Sequence, residues 1–576
     1  MRFLLGTGCY SHQRFVATIR IHHHDYFPSR HRYGRPRNQG RGRFHRRSIP
    51  SIPSSSSSSS FIELSTSSFT TSLLSEPPNV FWCANILFDP WSSTPQPGSI
   101  VVNHRGIIEA CHIGESWQET RKRYQRVHHL GEEEEEGGGD KGDTHDHHDK
   151  NVILTPGWID VHTHISALGR DWEGYTTATQ AAAAGGITTI IGMPLNSVPP
   201  TTSVDALDQE IYQAHHSKLY VDVGFWGGVV PENCQTKEPL LEELLCSGVM
   251  GLKAFLSPLP PEAGFASISP DQLRYAASIC AAHQKPLLVH AELMSMQEYQ
   301  NQIDTAFLAK DKYSYAAHVQ SRPAEWEQAA IELICDIVLT TPNCQMHIVH
   351  LSNAKSLEII QKTKKQLLLQ SNSGSNSNSQ LTVETCPHYL LFHSESIPDG
   401  DTRYKCCPPI RDETNQQALW QGLHQGWIDM IASDHSPCEP SMKAGTLQDA
   451  WSGISGLQYQ LQATWTPAHA RGNSIMDVHR WWSRHPAQLA TPLNKKGYLA
   501  QGQQADFVLW DTAYCGAPNT YSKEYHRWKG MTVYADRETL RGRVLATYVR
   551  GVKVYDGIDD VHLEPKGQIL LAKRKK

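Results

Sequence analysis

The sequence lacks a long apolar run, an excess of basic charge and any closely spaced pair of cysteines of the CxxC kind. A transmembrane helix needs about 20 consecutive apolar residues, and no run of that length occurs among the 576 residues. The formal net charge is -5, so the chain as a whole has no general attraction for nucleic acid. The sequence therefore predicts that neither a membrane nor a nucleic acid is a partner.

The 13 cysteines are odd in number and scattered along the chain. Cys406 and Cys407 are adjacent, an arrangement that suits a simple disulfide framework poorly. A large chain with this cysteine usage is typical of a reduced protein. We therefore expect an intracellular location.

Residues 1–78 are almost devoid of acidic side chains. Arginine, serine and histidine dominate, and the run "SIPSSSSSSS" follows the arginine-rich part. A segment of this composition cannot bury enough apolar surface to form a core. It resembles an organellar transit sequence, and a disordered extension or a translation start placed too early is equally open. We expect a disordered or targeting extension, with a cytoplasmic location if the segment does not target.

From residue 151 to 493 the pattern is strand, loop and helix, repeated. Short apolar runs such as "ITTIIGMP", "VMGLKAFL", "KPLLVHAE" and "IDMIASDH" alternate with helical stretches such as "SVDALDQEIYQAHHSK". Continuous apolar strands separated by helices indicate a parallel sheet. There are enough units to close a barrel, so the sequence predicts an α/β fold with a TIM-like (β/α)8 barrel.

The segments on either side of this region have strand-and-turn character. "NVFWCANILF" and "GSIVVNHRGIIEAC" precede it, and "GYLAQGQQADFVLWD" and "VLATYVRGVKVYDG" follow it. The economical interpretation is one small β-sandwich domain built from both flanks, residues 79–150 and 494–576. The acidic low-complexity insertion at about 131–150, "GEEEEEGGGDKGDTHDHHDK", is expected to be a solvated loop.

Polar side chains end several of the predicted barrel strands. The stretch "NVILTPGWI" is interpreted as one buried strand that continues into "DVHTH", and alternate residues of a strand face the same side. Active sites of α/β barrels lie at the carboxyl ends of the strands. The residues that converge there are His162, His164, Lys253, His290, His350 and Asp434.

Lys253 is the one cation in this set, and an ammonium would repel metal ions. An amine that has reacted with carbon dioxide is instead a carbamate, an anion whose two oxygens can bridge two metals. Two divalent ions about 3.5–4 Å apart lower the pKa of water and polarise a carbonyl. Asp434 would take the proton and pass it to a leaving nitrogen. These residues predict hydrolysis of an amide-like C–N bond, with His162 and His164 on the more buried metal.

The chain carries a series of motifs in a fixed order: "DVHTHIS", "AAAAGGITTIIGMPLNSVPPTT", "GLKAF", "VHAE", "HIVHLS", "ETCPHYL", "KCCPPIRD", "IASDHSPC" and "AWSGISGLQ". They resemble the cyclic amidohydrolases of the metal-dependent amidohydrolase superfamily, and within them the allantoinase group. The resemblance covers about residues 80–571.

The resemblance implies a set of site residues and cofactors. The implied metal ligands are His162, His164, Lys253 as a carboxylated lysine, His290, His350 and Asp434, and Asp434 is also the catalytic base. Main-chain groups near Cys407 and Gly453 are implied to bind the substrate, and His347 is not expected to be a ligand. The implied cofactors are two divalent metal ions, expected to be Zn2+, with Fe, Mn, Co and Ni left open. A homotetramer is also implied.

The implied activity is hydrolysis of (S)-allantoin, a hydantoin-ring ureide, to allantoate in purine degradation. Dihydropyrimidinase or hydantoinase activity is the nearest alternative, although "LKAFLSPLPP" lacks the tyrosine of those enzymes. Dihydroorotase activity is a third, but Arg170 lies too far along the chain for the arginine of that enzyme. A noncatalytic scaffold that lost its ligands is the fourth, and here all six ligand positions are filled.

Overall fold

The computed structural model describes residues 77–88, 94–131, 151–235, 237–370, 380–490 and 493–572. Nearly all of the predicted N-terminal extension, and all but the first residue of the acidic insertion, lie outside the described residues. Both therefore stay predictions.

The described strands follow one another along the whole chain. In chain order they are β1 (Asn79–Ile86), β2 (Gln96–Val102), β3 (Ile108–Ile113), β4 (His128–His129), β5 (Val152–Pro156), β6 (Trp158–Thr163), β7 (Ile187–Gly192), β8 (Asp222–Phe225), β9 (Gly227–Gly228), β10 (Leu252–Phe255), β11 (Leu287–His290), β12 (Met346–Ile348), β13 (Leu381–Thr385), β14 (Met430–Ile431), β15 (Phe507–Gly516), β16 (Leu540–Val549), β17 (Val552–Asp556) and β18 (Val561–His562).

Most of the described helices lie between the strands of the central region. They are α1 (Trp117–Arg123), α2 (Tyr175–Ala184), α3 (Val204–His215), α4 (Leu240–Ser247), α5 (Pro270–His283), α6 (Met296–Ala309), α7 (Tyr315–Ser321), α8 (Ala324–Thr340), α9 (Leu357–Gln370), α10 (Pro387–Leu391), α11 (Glu413–His424), α12 (Gln460–Ala470), α13 (Ile475–His479) and α14 (His485–Leu489). Serine side chains cap several of them: Ser203 begins α3, and Ser269 begins α5 in a capping box with Gln272. None of the helices in the described parts of the chain is both long and apolar enough to cross a membrane.

The strands of the central region form a ring. β6 pairs with β7 and β7 with β8, all parallel. Only Trp226 separates β8 from β9, which pairs with β10, and parallel pairs continue through β11, β12 and β13 to β14. A parallel bridge between Thr163 and His435 links the segment after β14 back to β6. With β8 and β9 counted as one strand interrupted at Trp226, eight parallel strands close on themselves, which confirms the predicted (β/α)8 barrel.

The flanking strands meet in one sheet. Its order is β18-β17-β16-β15-β5-β1-β2-β3, with β4 beside β1. Phe81 on β1 and Tyr548 on β16 are three strands apart, which in a flat sheet is roughly 14 Å. Their ring centroids are only 5.7 Å apart, so the sheet folds over on itself around its own core. The predicted β domain built from both flanks is confirmed, whereas the boundaries drawn at residues 150 and 493 stay predictions.

The single strand predicted for "NVILTPGWI" is wrong, because Gly157 divides it between the two domains. β5 joins the flanking sheet, where Leu154 faces Leu509 of β15, and β6 begins the barrel. A Cβ at Gly157 would lie 2.3 Å from side-chain atoms of Thr188, so only glycine fits this close approach. Both halves are apolar and buried, and so their hydrophobic pattern gives no sign of the break.

Buried charges join the barrel to the flanking domain. Asp222, the first residue of β8, lies 2.8 Å from Lys496 Nζ and 2.8 Å from Arg550 Nη1. Lys496 also lies 2.5 Å from Asp506. Burial alone would raise the pKa of Asp222, but the two cations outweigh it and hold that pKa below its usual value. The carboxylate is therefore ionised and stabilises the contact between the domains.

We expect Asp222→Asn to lower the free energy of unfolding by about 3–5 kcal/mol at neutral pH, because it leaves buried cations with too little negative charge. A lowered folded-state pKa means that this stabilisation is complete above the unfolded pKa of about 3.9 and is lost as the pH falls through the folded value. The difference in free energy of unfolding between variant and wild type, measured by urea denaturation, should therefore become smaller in acid. The control Asp559→Asn, at an exposed position, should lower the free energy of unfolding by less than about 0.5 kcal/mol. Equal losses of stability in both variants would contradict the role of the buried ion pairs of Asp222.

Candidate metal centre

The predicted ligands lie at or just beyond the carboxyl ends of the barrel strands. His162 and Lys253 are inside β6 and β10, and His290 is the last residue of β11. His350 and Asp434 follow β12 and β14, in backbone with φ of +39° and +45°. A non-glycine residue in this left-handed region costs about 1–3 kcal/mol, and such strain is typical of functional sites.

The two histidines of "DVHTH" and Asp434 form a cluster that could hold a metal ion. Oδ1 of Asp434 lies 3.2 Å from Nε2 of His162 and 3.4 Å from Nε2 of His164. The candidate ligand atoms of all three residues lie within 4.8 Å of one another, and the residues are buried. Two imidazoles and a carboxylate are a donor set that suits zinc and related divalent ions.

His290 and His350 extend this cluster to a second side. Their ring centroids are 4.5 Å apart, and the ring of His350 is 5.5 Å from that of His162. Phe255 stacks on His290 at 4.8 Å and also lies under Lys253, whose Nζ is 4.5 Å from the phenyl centroid. The structure therefore brings the six sequence-derived candidates around one space.

Lys253 is fully buried, and its Nζ has no hydrogen-bond partner among the described residues. Burial lowers the pKa of this amine to about 7, although the charge of Asp434 opposes the shift. A buried, unpaired ammonium is costly. The surroundings of Lys253 therefore favour its neutral form.

Asp434 is held as an anion. Burial opposes ionisation, but His162 and His164 outweigh it and hold the pKa of Asp434 well below its usual range. Conversely, burial disfavours the charged form of His162, yet Glu384 and Asp434 raise the pKa of His162 to about 9. The carboxylates therefore draw a positive charge to this point, which a metal cation can supply.

The sequence reasoning missed Glu384, a buried carboxylate in β13. It accepts hydrogen bonds from His162 Nδ1 at 2.5 Å, from His347 Nε2 at 3.0 Å and from the His350 amide at 3.2 Å. Because an ionised carboxylate only accepts, the neutral ring of His162 keeps its proton on Nδ1, and a metal ion can take the place of the second proton on Nε2. Both ring nitrogens of His347, which is not expected to be a ligand, are engaged, Nε2 with Glu384 and Nδ1 with Thr382.

A second carboxylate orients another candidate ligand. Glu292 accepts from His290 Nε2 at 2.8 Å, which leaves Nδ1 of that ring for a metal. Arg322 donates to the same carboxylate at 2.5 Å. Burial would raise the pKa of Glu292, but the Arg322 charge and the bond from His290 lower it to about 2. The charge of Glu292 is thus compensated locally by Arg322.

His435, the neighbour of Asp434, faces away from the candidate ligands. Its Nδ1 accepts from the Gly456 amide at 3.1 Å, and its Nε2 lies 3.3 Å from a carboxylate oxygen of Glu173. His526 stacks on it with ring centroids 5.3 Å apart. The side chain of His435 therefore holds the segment at Gly456 and is not part of the cluster of His162, His164 and Asp434.

The two loops expected to bind the substrate lie against each other. Cys407 Sγ is 3.2 Å from Ser452 Oγ, and the Gly453 amide donates to the Lys405 carbonyl at 2.8 Å. Cys407 is half-buried and Gly453 is buried. The structure thus places the two positions in one unit of loops.

Residues 153–554 match the amidohydrolase family, and the chain belongs to that family. Within it, a probable allantoinase from Oryza sativa subsp. japonica is 40% identical over 434 residues, which are 73% of this chain and 82% of that protein. A protein named mitochondrial allantoinase from Aquarana catesbeiana is 44% identical over 350 residues, 59% of this chain and 66% of that protein.

Solved structures share the fold. The L-hydantoinase (dihydropyrimidinase) of Arthrobacter aurescens matches with a TM-score of 0.70, over 86% of this chain and 99% of that one, at 24% identity. This likeness supports the barrel and its flanking sheet.

We expect Glu384→Gln to weaken metal binding about 10–100-fold, because the amide cannot replace the charge that fixes the tautomer of His162. Titration of the metal-free protein with zinc, in competition with a chelating dye, measures the change. Glu358→Gln, a matched change on the exposed face of α9, should bind zinc as wild type does. Unchanged affinity in Glu384→Gln would show that the carboxylate does not orient a ligand.

Proposed function

We propose that this protein opens the hydantoin ring of (S)-allantoin by hydrolysis to give allantoate, a step of purine and ureide degradation. The observation that carries the proposal is 40% identity to a protein named probable allantoinase, over 82% of that protein. The chain is a hydrolase that acts on C–N bonds of cyclic amides. The preference for allantoin over other cyclic amides is part of what we propose.

The residues present suit two divalent metal ions. Four imidazoles and Asp434 surround one buried space, and Glu384 and Glu292 orient two of the imidazoles so that one nitrogen of each stays free. We propose that His162, His164, His290, His350, Asp434 and Lys253 hold these ions. Zinc suits the set, and iron, manganese, cobalt and nickel are chemically compatible. When bound, such ions would lower the pKa of water and polarise the ring carbonyl.

We propose that Lys253 is carboxylated. Its nitrogen forms a bond to the carbon of carbon dioxide and releases one proton, which gives a carbamate with two oxygen ligands. The support is an Nζ that is buried without a partner among the described residues, close to histidines. The carbamate supplies the anionic ligand that an amine cannot.

Asp434 is the proposed acid–base group. It accepts a proton from the attacking water and donates a proton to the ring nitrogen that leaves. The amide C–N bond breaks, and the nitrogen becomes part of an open-chain ureide. The carbon keeps the oxygen of water as a carboxylate, and the second proton of that water is released to solvent. One water is consumed. Main-chain groups beside Cys407 and Gly453 are the proposed contacts that orient the ring.

Location and assembly are further parts of the proposal. The Arg- and Ser-rich composition of residues 1–78, together with a relative whose name places it in mitochondria, supports a targeting role. Fusion of residues 1–78 to a fluorescent reporter tests it, and a diffuse signal would remove it. The resemblance to cyclic amidohydrolases supports a homotetramer, which light scattering of the purified protein can measure.

A turnover assay with four substrates tests the function. We expect purified, metal-loaded protein to hydrolyse allantoin with a kcat/KM at least about tenfold above hydantoin, dihydrouracil and dihydroorotate. A preference for hydantoin or dihydrouracil would assign the alternative activity, and no turnover with any ring would indicate a scaffold.

In the same assay, Lys253→Ala should be inactive, and small carboxylic acids should partly restore its activity by standing in for the carbamate. High activity of the variant without them would exclude the carbamate.

We expect Asp434→Asn to lower kcat by about 10²–10⁴-fold, because general acid–base catalysis is typically worth that much and the amide cannot accept the proton. The variant keeps the shape and one oxygen of the side chain, so circular dichroism should be unchanged and substantial metal should remain. Turnover within a few-fold of wild type, with both metals bound, would move the proton transfer to another residue.

A further inference from the structure

Two buried lysines lie beside the loops expected to bind the substrate, and no step of the proposed mechanism uses them. Lys405 and Lys443 are each 8% exposed. Neither forms an ion pair within the described part of the chain, where the other nearly buried lysine outside the metal centre, Lys496, is paired with Asp222 and Asp506. A buried ammonium without a carboxylate is costly unless its donors are satisfied.

The ammonium of Lys443 is satisfied by main-chain carbonyls of both loops. Its Nζ lies 2.7 Å from the Gly453 oxygen, 3.2 Å from the Thr402 oxygen and 3.4 Å from the Lys405 oxygen. An ammonium has three donors and no acceptor, so these three carbonyls match its capacity. Thr402 returns a hydrogen bond from Oγ1 to the Lys443 carbonyl at 2.5 Å.

Lys405 makes the reverse connection. Its Nζ donates to the carbonyls of Gln448 at 3.0 Å and Ala450 at 2.5 Å. Its own carbonyl accepts from the Gly453 amide at 2.8 Å. The side chain of each lysine therefore reaches across to the main chain of the loop that carries the other.

We propose that Lys443 and Lys405 are positioning residues that hold the loop with Cys407 and the loop with Gly453 as one rigid substrate-binding frame. Lys443 is the central contact because it alone binds carbonyls of both loops. The inference rests on the proposed function, since that function gives the two loops their substrate. It assigns neither lysine a contact with the reacting atoms.

The chemistry of the contact explains why lysine is used. Charge-assisted hydrogen bonds to carbonyls are stronger than neutral ones, and three of them from one nitrogen fix the relative position of the two loops. Loops are otherwise the most mobile part of a barrel enzyme. A ring held by main-chain groups of both loops keeps its orientation only while the loops keep their spacing.

Lys443→Met tests the proposal, because methionine fills a similar volume without donors. We expect KM for allantoin to rise at least about tenfold while kcat stays within about threefold and metal content is unchanged, since the loss is one of substrate binding. Lys496→Met is the matched control: it removes a buried lysine far from the loops and should lower the melting temperature while leaving KM within about twofold of wild type.

Hydrogen exchange of the full-length, metal-loaded protein gives a second readout. In Lys443→Met, amides of both 402–408 and 443–456 should exchange faster, and in Lys496→Met neither should. A KM within twofold of wild type, or unchanged exchange in both loops, would overturn the proposal and leave Lys443 a purely structural residue. If wild type fails to hydrolyse allantoin, the proposed function fails, and exchange alone then decides whether the lysines hold the loops together.

Discussion

The hydrogen bonds that close the barrel also assemble the candidate metal centre. Asp160 accepts from the amides of His162 and Ser433, each at 3.1 Å, and so ties the first strand to the segment after the last one. Asp434 follows Ser433 and is thereby placed opposite His162 and His164. The seam of the barrel and one side of the candidate metal centre are therefore built from neighbouring residues of the same two segments, and the geometry of the centre depends on closure of the ring.

The sequence predicts the barrel and the convergence of six polar residues because both follow from local patterns. Short apolar runs mark the strands, and parallel strands bring their carboxyl ends to one mouth. The break at Gly157 leaves no such mark, since apolar residues continue on both sides of it. The roles of Glu384 and His347 also escape, because "ETCPHYL" and "HIVHLS" do not show that one carboxylate serves a histidine 222 residues away. Pairings across a closed ring depend on tertiary geometry.

The nearly buried lysines of the described chain divide by what satisfies the ammonium. Lys496 has carboxylates and stabilises the contact between domains. Lys405 and Lys443 have main-chain carbonyls and hold loops together. Lys253 has neither among the described residues, and burial lowers the pKa of its amine to about 7. Buried lysines thus have three different roles in this protein, and the acceptors around each Nζ distinguish these roles.

The flanking sheet has a consequence for synthesis of the chain on the ribosome. β5 ends at Pro156 and its neighbour β15 begins at Phe507, so 350 residues, from 157 to 506, separate the two halves of one sheet. At about 5–20 residues per second, the first half waits about 20–70 s for its partner. Throughout that time β5 is an open edge, able to pair with another nascent chain. The speed of translation through the barrel therefore sets how long this edge is exposed to aggregation.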